Sequence, residues 1–263
     1  MTSTRERQRA AARARLEREM TERAAKARKR RQTQAIVGAA AVLVLVVAGT
    51  VWLVTSLGGD DDKQNTASTP GFSQCGYTEL PQEGRPKQIK DVGLPPTQQD
   101  NKGSQTMTID TNLGPITAKI NRDQVPCTAG SFTHLASKGF FDNTKCHRLV
   151  TEGIKVLQCG DPTATGSGGP GYRFADENLD GASYKRGVLA MANSGPGTNG
   201  SQFFIVYGDE TDSLPDAYTP FGTITKGMDV VDKVAKDGVE GGGSDGQPKT
   251  TVDIKDVTIT SKS

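Results

Sequence analysis

Regular alternation of apolar and polar residues begins at Thr106. In TMTIDTNLGPITAKI, residues 106–120, every second position is apolar on either side of Asn112-Leu113-Gly114, which predicts a β-hairpin around that turn. The period changes in VPCTAGSFTHLASKG, residues 125–139. Phe132 and Leu135 lie three apart on one helical face, Pro126 suits a first turn and Gly139 a stop, so a helix is expected; His134 on it reads as a packing or surface residue. Short strands follow at 146–150, 156–159, 187–192, 203–207 and 221–224, separated by loops rich in Gly and Pro. A second amphipathic helix is expected at 228–236, with Met228, Val231, Val234 and Ala235 on its inner side and Gly238 after it, and TTVDIKDVTIT supplies a last strand. Many short strands, two helices and no βαβ alternation predict a mainly β domain at 106–263, a closed antiparallel barrel capped by the two helices. That length is enough to bury a core.

Upstream the pattern is different. Residues 58–105 are mostly Gly, Pro, Ser, Thr, Gln, Asp and Lys, with few side chains to bury, and read as a linker in which Cys75 and Tyr77 mark a short part that docks back. Residues 35–57, AIVGAAAVLVLVVAGTVWLVTSL, hold 23 positions without a formal charge, long enough as a helix to cross the hydrocarbon of a bilayer. A cleaved signal peptide would have a shorter apolar core and a briefer leader. Trp52 near its outer end, the basic block before it and Asp60, Asp61 and Asp62 after it orient the span. Residues 1–34 are expected as a cytoplasmic basic arm, and residues 58–263 as extracytoplasmic.

Charge sharpens this division. Residues 1–31 carry twelve Lys/Arg and four Glu, a net of +8 in a chain whose total is +2, so the remainder carries −6. The arm reads as a solvated, partly helical segment near anionic headgroups. The acidic remainder speaks against nucleic-acid binding by the main domain. Four cysteines, Cys75, Cys127, Cys146 and Cys159, all fall in the outward part, where an even count suggests disulfides; three pairings are possible. Cys146, His147 and Cys159 are close in sequence, but no CxxC pair supports zinc, and no metal or cofactor is expected.

Several motifs match by letter only. GPGTNG (195–200) and GSGGPG (166–171) fit G-x-G-x-x-G but lack the strand before and helix after that a dinucleotide site needs. GGSDG (242–246) fits a nucleophile elbow, yet Ser244 sits in EGGGSDGQP without apolar framing. Asn199-Gly200-Ser201 is a glycosylation sequon in letters alone. With two histidines in the chain and no carboxylate pair supported by one, hydrolysis is poorly provided for.

Three segments remain: CHRLVTEGIKVLQCGD (146–161), LAMANSGPGTNGSQFFIVYGD (189–209) and DSLPDAYTPFGTI (212–224). In His147-Arg148, Gln158-x-Gly160-Asp161, Met191-Ala192-Asn193, Asn199-Gly200-Ser201-Gln202-Phe203-Phe204 and Phe221-Gly222, taken in order, the chain resembles the cyclophilin family of peptidyl-prolyl cis-trans isomerases over 106–263. Arm, anchor, linker and domain together look like the membrane-anchored bacterial form. The resemblance implies an eight-stranded closed barrel and rotation about X-Pro bonds in exported proteins. It implies proline-containing polypeptides as partners. The implied setting is the bacterial cell membrane, with one pass and the domain outside. Arg148 would be the catalytic donor to the prolyl nitrogen, and Gln158 would orient it and the substrate carbonyl. Val156, Phe204 and Leu214 would line the proline slot; Ala192, Asn193 and Gln202 would hold the neighbouring peptide, and Tyr218 would stand at the rim with a hydroxyl to donate.

The chemistry asks for the same parts. Rotation breaks amide resonance over a barrier of roughly 18–20 kcal/mol, so a catalyst needs an apolar slot and a donor aimed at the nitrogen as its lone pair returns. Arginine, always charged, provides one. Phe203 is expected to point inward, opposite to Phe204. The chain departs from the family pattern at Cys146, at Ser213 and in the longer 148–158 segment, where Lys155 falls near a pocket position unless Ile154 takes its place. A cationic edge there would lower turnover and weaken cyclosporin binding. It also motivates the alternative of a weakly active module that captures proline-containing segments of envelope partners. Within the hairpin that the resemblance defines, Cys146 and Cys159 flank the two strands and are expected to pair, with Cys75 joined to Cys127.

Overall fold

The structure is a computed structural model that describes residues 70–262 apart from 82, 84–86 and 210–213. The basic arm and the apolar span at 35–57 lie outside the described residues. Among those described, no helix is long and apolar enough to cross a membrane.

The domain's framework is one ten-stranded antiparallel ladder. Its strands are β4 (Ser104–Thr111), β5 (Ile116–Asn121), β6 (Thr144–Cys146), β7 (Arg148–Val150), β8 (Val156–Cys159), β10 (Val188–Met191), β11 (Phe203–Val206), β12 (Pro220–Lys226), β13 (Asp245–Gly246) and β14 (Val252–Lys262). Their spatial order is β13-β7-β8-β11-β10-β12-β5-β4-β14-β6. Helix α1 (Pro126–Ser137) buries Phe132 and Leu135, and α2 (Met228–Asp237) buries Val230, Val231 and Val234. The alternation read at 106–120 is the β4–β5 hairpin, in register from Ser104↔Asn121 to Ile109↔Ile116.

The expected closed barrel of eight strands is corrected to an open ladder of ten. The strand expected at 146–150 breaks at His147. Its first half, β6, pairs with β14, while its second half, β7, pairs with β8, so the ladder ends where the chain changes partners. The two-residue β13 then adds an edge beside β7. Across the seam run the His147 N–H to the Gln158 carbonyl, 3.0 Å, and the Cys146–Cys159 disulfide.

From residue 70 onward, the expected linker is part of the folded unit. Strands β1 (Phe72–Gln74) and β3 (Gln98–Asp100) pair with each other, and β2 (Thr78–Glu79) pairs with β9 (Tyr172–Arg173). A covalent bridge, a hydrogen bond and two ring contacts hold the segment there. Cys75 is joined to Cys127 at the start of α1, and the Tyr77 hydroxyl donates to the Cys127 carbonyl at 2.6 Å. The Tyr77 ring meets Tyr172 and Phe174 edge-on. His134, read as a packing residue, holds the same segment through contacts of 3.1 Å from Nε2 to the Val92 and Gly93 carbonyls. Helix α1 has no side-chain cap of its own. Glu177 supplies one, accepting the N–H groups of Cys127 (2.9 Å) and Thr128 (2.7 Å), a favourable place for a carboxylate.

Candidate active site

Strand register sets the site. Arg148 faces Gln158 across β7–β8, Gln158 faces Phe204 across β8–β11, and Phe204 faces Ala190 across β11–β10. Directly opposed residues share a sheet face, so cation, amide and phenyl form one row across three strands. The next residues along, Leu149, Leu157 and Phe203, go to the opposite face and into the main core. On the row's own face a smaller apolar cluster gathers Val150, Val156, Tyr184, Ala190, Phe204 and Val206.

Above this cluster is a pocket of about 160 Å³ lined by Arg148, Ile154, Val156, Gln158, Ala192, Asn193, Phe204, Leu214 and Tyr218. Eight of the nine residues assigned to the site from sequence line it; the ninth, Gln202, holds Gln158 and lines the neighbouring cavity. Between Arg148 and Gln158, Gly153 adopts φ +65°, a conformation open to glycine, and the chain turns there so that Ile154 joins the wall. Lys155 is not among the lining residues. Its side chain lies along Gly208, and its carbonyl accepts the Tyr207 N–H at 2.9 Å.

Polar groups fix the row from both ends. The Arg148 Nη1 donates to Gln158 Oε1 at 3.3 Å, Gln158 Nε2 donates to Gln202 Oε1 at 2.9 Å, and Gln202 Nε2 donates to the carbonyls of Gly166 (3.1 Å) and Gly168 (2.8 Å). That loop is held in turn by the buried Asp161 carboxylate, which accepts N–H groups from Thr163, Thr165 and Gly168. Burial pushes the Asp161 carboxyl up, but the N–H groups of Gly168 and Thr163 outweigh it and hold the group below its ordinary value. Gly160 has φ +86°, and a Cβ there would collide with the Ser201 carbonyl oxygen, which is why glycine stands between Gln158 and Asp161 in this close approach of β8 to β11. Asn193 uses its side chain on the Ala217 carbonyl (2.8 Å) and the Gly195 N–H (3.2 Å), and so serves the slot as a braced wall.

Sequence reasoning missed two participants. Tyr184 clamps the rim: its hydroxyl donates to the Tyr218 carbonyl at 2.8 Å and accepts the Tyr218 N–H at 3.1 Å, steadying a ring that meets Phe204 edge-on at 5.6 Å. Asp245 binds the guanidinium of Arg148 through both carboxylate oxygens, Nε to Oδ1 at 2.8 Å and Nη2 to Oδ2 at 2.7 Å. That hydrogen bond raises the Arg148 pKa and holds the Asp245 carboxyl below its ordinary value. No pattern in the sequence pointed to it: Asp245 follows Ser244 in a glycine-rich loop without periodicity. His147 is buried beside the Gly166 loop, and burial lowers its pKa, opposed by Asp161 and assisted by Arg148. Asn199 of the sequon is fully buried and donates to the Ala175 carbonyl, which bears out the reading of that motif as letters only.

Beside the slot lies a larger cavity of about 320 Å³ that shares Gln158, Ala192 and Asn193 with it and takes Leu80 and Ile89 from the segment expected as linker. The slot sets an apolar wall beside a fixed cation and a relay of amides, an arrangement that can seat an apolar ring and donate a hydrogen bond to it. Residues 106–259 match the family described as cyclophilin type peptidyl-prolyl cis-trans isomerase, and the chain belongs to that family. It is 50% identical over 163 residues to a probable peptidyl-prolyl cis-trans isomerase B of Mycobacterium leprae, covering 57% of this chain and 55% of that protein. It is 43% identical over 202 residues to the Mycobacterium tuberculosis protein of the same description, covering 71% and 64%. The chain thus spans between half and two thirds of the length of these relatives. A cyclophilin type isomerase structure from Cryptosporidium parvum aligns over 61% of this chain and 99% of its own, with TM-score 0.54 and 34% identity. A second structure of that protein, in the presence of the dipeptide Ala-Pro, aligns with TM-score 0.53 and 33% identity, over 60% of this chain and 99% of its own.

Proposed function

We propose that this chain is a peptidyl-prolyl cis-trans isomerase acting on proline-containing polypeptides, with the pyrrolidine ring in the Ile154/Val156/Phe204/Leu214 slot and Arg148 as donor to the prolyl nitrogen. The carrying observation is the row Arg148–Gln158–Phe204 on one sheet face beside a pocket of about 160 Å³. In the planar ground state the nitrogen lone pair is delocalised and offers nothing to a donor. At the half-rotated point it localises, and the guanidinium bonds it, so the interaction is made in the transition state alone. Gln158 orients the guanidinium and meets the substrate carbonyl; the apolar wall excludes water, which strengthens the donated bond. No bond is broken and no proton needs to move.

The experiment is an NMR exchange or protease-coupled assay on an Ala-Pro peptide with the full chain and Arg148→Ala. Loss of one such preorganised donor is expected to lower kcat about 10²–10³-fold. Equal rates in the two proteins overturn the reading. Cyclosporin as a ligand of the same slot belongs to this proposal and is read by inhibition in the same assay. Lys155 motivated the binding-only alternative, and its place outside the pocket lining favours turnover.

The setting is part of the proposal as well. The 23 uncharged residues at 35–57, preceded by a segment of net charge +8 and followed by three aspartates, support a single-pass anchor with the domain outside a bacterial cell membrane, assisting the folding of exported proteins. Alkaline carbonate extraction of membranes tests it. The chain should stay in the pellet, and protease added to intact spheroplasts should reach the domain; a soluble or protected chain overturns this part.

A further inference from the structure

The loop EGGGSDGQP carries no periodicity, and the proposed reaction gives its Asp245 no role. In the structure that loop is tied down. The Ser244 carbonyl accepts the Thr151 N–H at 2.8 Å, and β13 pairs with β7 in the register Asp245↔Val150 and Gly246↔Leu149. Asp245 therefore stands diagonally from Arg148, on the face of Val150 and the slot, within reach of a long side chain.

A guanidinium has five N–H groups in a rigid planar fork. Asp245 takes Nε–H and one Nη2–H, and Gln158 takes one Nη1–H, so the plane of Arg148 is fixed by three bonds from two sides. Two N–H groups are left beside the pocket that Arg148 lines. Both side chains of the ion pair are close to half exposed, 42% for Arg148 and 49% for Asp245, so packing alone does not hold this cation. An unbraced arginine at that exposure samples several rotamers, and a donor that must be in place as the lone pair appears loses rate in proportion.

We infer that Asp245 is a positioning residue for the isomerase reaction, a bidentate carboxylate that fixes the guanidinium of Arg148 with its free N–H groups directed at the slot. The inference rests on Arg148 being the donor. The carboxylate lies on the Nε/Nη2 edge, and the N–H groups that it and Gln158 leave are one on Nη1 and one on Nη2.

The test measures kcat and KM on an Ala-Pro peptide for the full chain, Asp245→Ala, Asp245→Asn and Arg148→Ala, with Asp253→Asn as control. Asp253 is 46% exposed and pairs with Lys145 at 3.8 Å, away from the slot. Asp245→Ala is expected to lower kcat about tenfold with KM changed less than about twofold, within the range that misplacement of a reacting group produces. Asp245→Asn is nearly isosteric and keeps one acceptor, so it should fall between Asp245→Ala and the parent; Asp253→Asn should match the parent. In the parent, the Arg148 Nε–H should give an NMR signal protected from solvent exchange, and that protection should vanish in Asp245→Ala. A kcat for both Asp245 variants equal to or above the parent's, while Arg148→Ala is inactive, overturns the inference and leaves the isomerase reading standing. An active Arg148→Ala removes both.

Discussion

Two apolar clusters share the same strands and differ in what closes them. Phe203, Leu149, Leu157 and Ile205 point into the main core, where Phe203 meets Phe132 and Phe221 edge-on at 5.6 and 6.2 Å and is fully buried. Phe204, Val150, Val156 and Val206, each one residue along, belong to the second cluster, against which the loop residues Ile154, Leu214 and Tyr218 pack. Period-two alternation thus builds a core and a site from one set of strands. The fold keeps the outer cluster small, rims it with Arg148, Gln158 and Tyr218, and leaves a pocket of about 160 Å³ beside it.

The sharpest way to break this comparison is at the adjacent phenylalanines. Phe203→Ala should lower unfolding free energy by about 3–5 kcal/mol in chemical denaturation, as for other buried aromatic truncations. Phe204→Ala, in the smaller cluster, should cost less than that in stability, yet lower kcat/KM roughly 10–200-fold, the scale of one lost apolar contact with substrate. Equal stability losses with unchanged activity at 204 would erase the distinction. Next come the disulfides. The Cys75–Cys127 bridge spans 52 residues, and its double serine variant should lose about 4 kcal/mol in the chain-entropy picture while kcat stays near the parent's. The Cys146–Cys159 bridge spans 13 residues, and its double serine variant should lose about 3 kcal/mol and also reduce kcat, because the bridge fastens the seam beside Arg148 and Gln158.

The smallest expected effect is a pH dependence from His147. Burial holds its folded pKa below the ordinary 6.5, so the unfolded chain takes the proton first. Its contribution to stability is complete above 6.5 and is lost as pH falls through the folded value. Melting temperature should therefore decline on acidification from pH 7 more steeply in the parent than in His147→Gln, and identical slopes would show that the imidazole is not the group responsible.

Local pattern carried much of this molecule. The β4–β5 hairpin, both helices and the pocket residues from Arg148 to Tyr218 were legible because alternation, helix punctuation and an ordered set of motifs agreed with one another. Both disulfides join the cysteines expected to pair. What escaped has no periodicity to read. A two-residue edge strand such as β13 is specified by a partner 95 residues away, as Asp245↔Val150 shows, and glycine-rich sequence gives no sign of it. The segment 70–105 buries little beyond Cys75 and Tyr77 and is ordered by a covalent bridge and backbone bonds, so its composition reads as linker. The break at His147, which turns an expected closed barrel into an open ladder, depends on which partners the two halves find.

That break has a mechanical consequence. Edge strands fluctuate most freely in a sheet, and Arg148 is mounted on the strand next to the β13 end of the ladder. Stiffness around Arg148 is therefore supplied by a carboxylate clasp, a sulfur bridge and an amide chain rather than by the ladder itself. Exchange of two or three side chains could retune how the centre breathes while the architecture stays as it is.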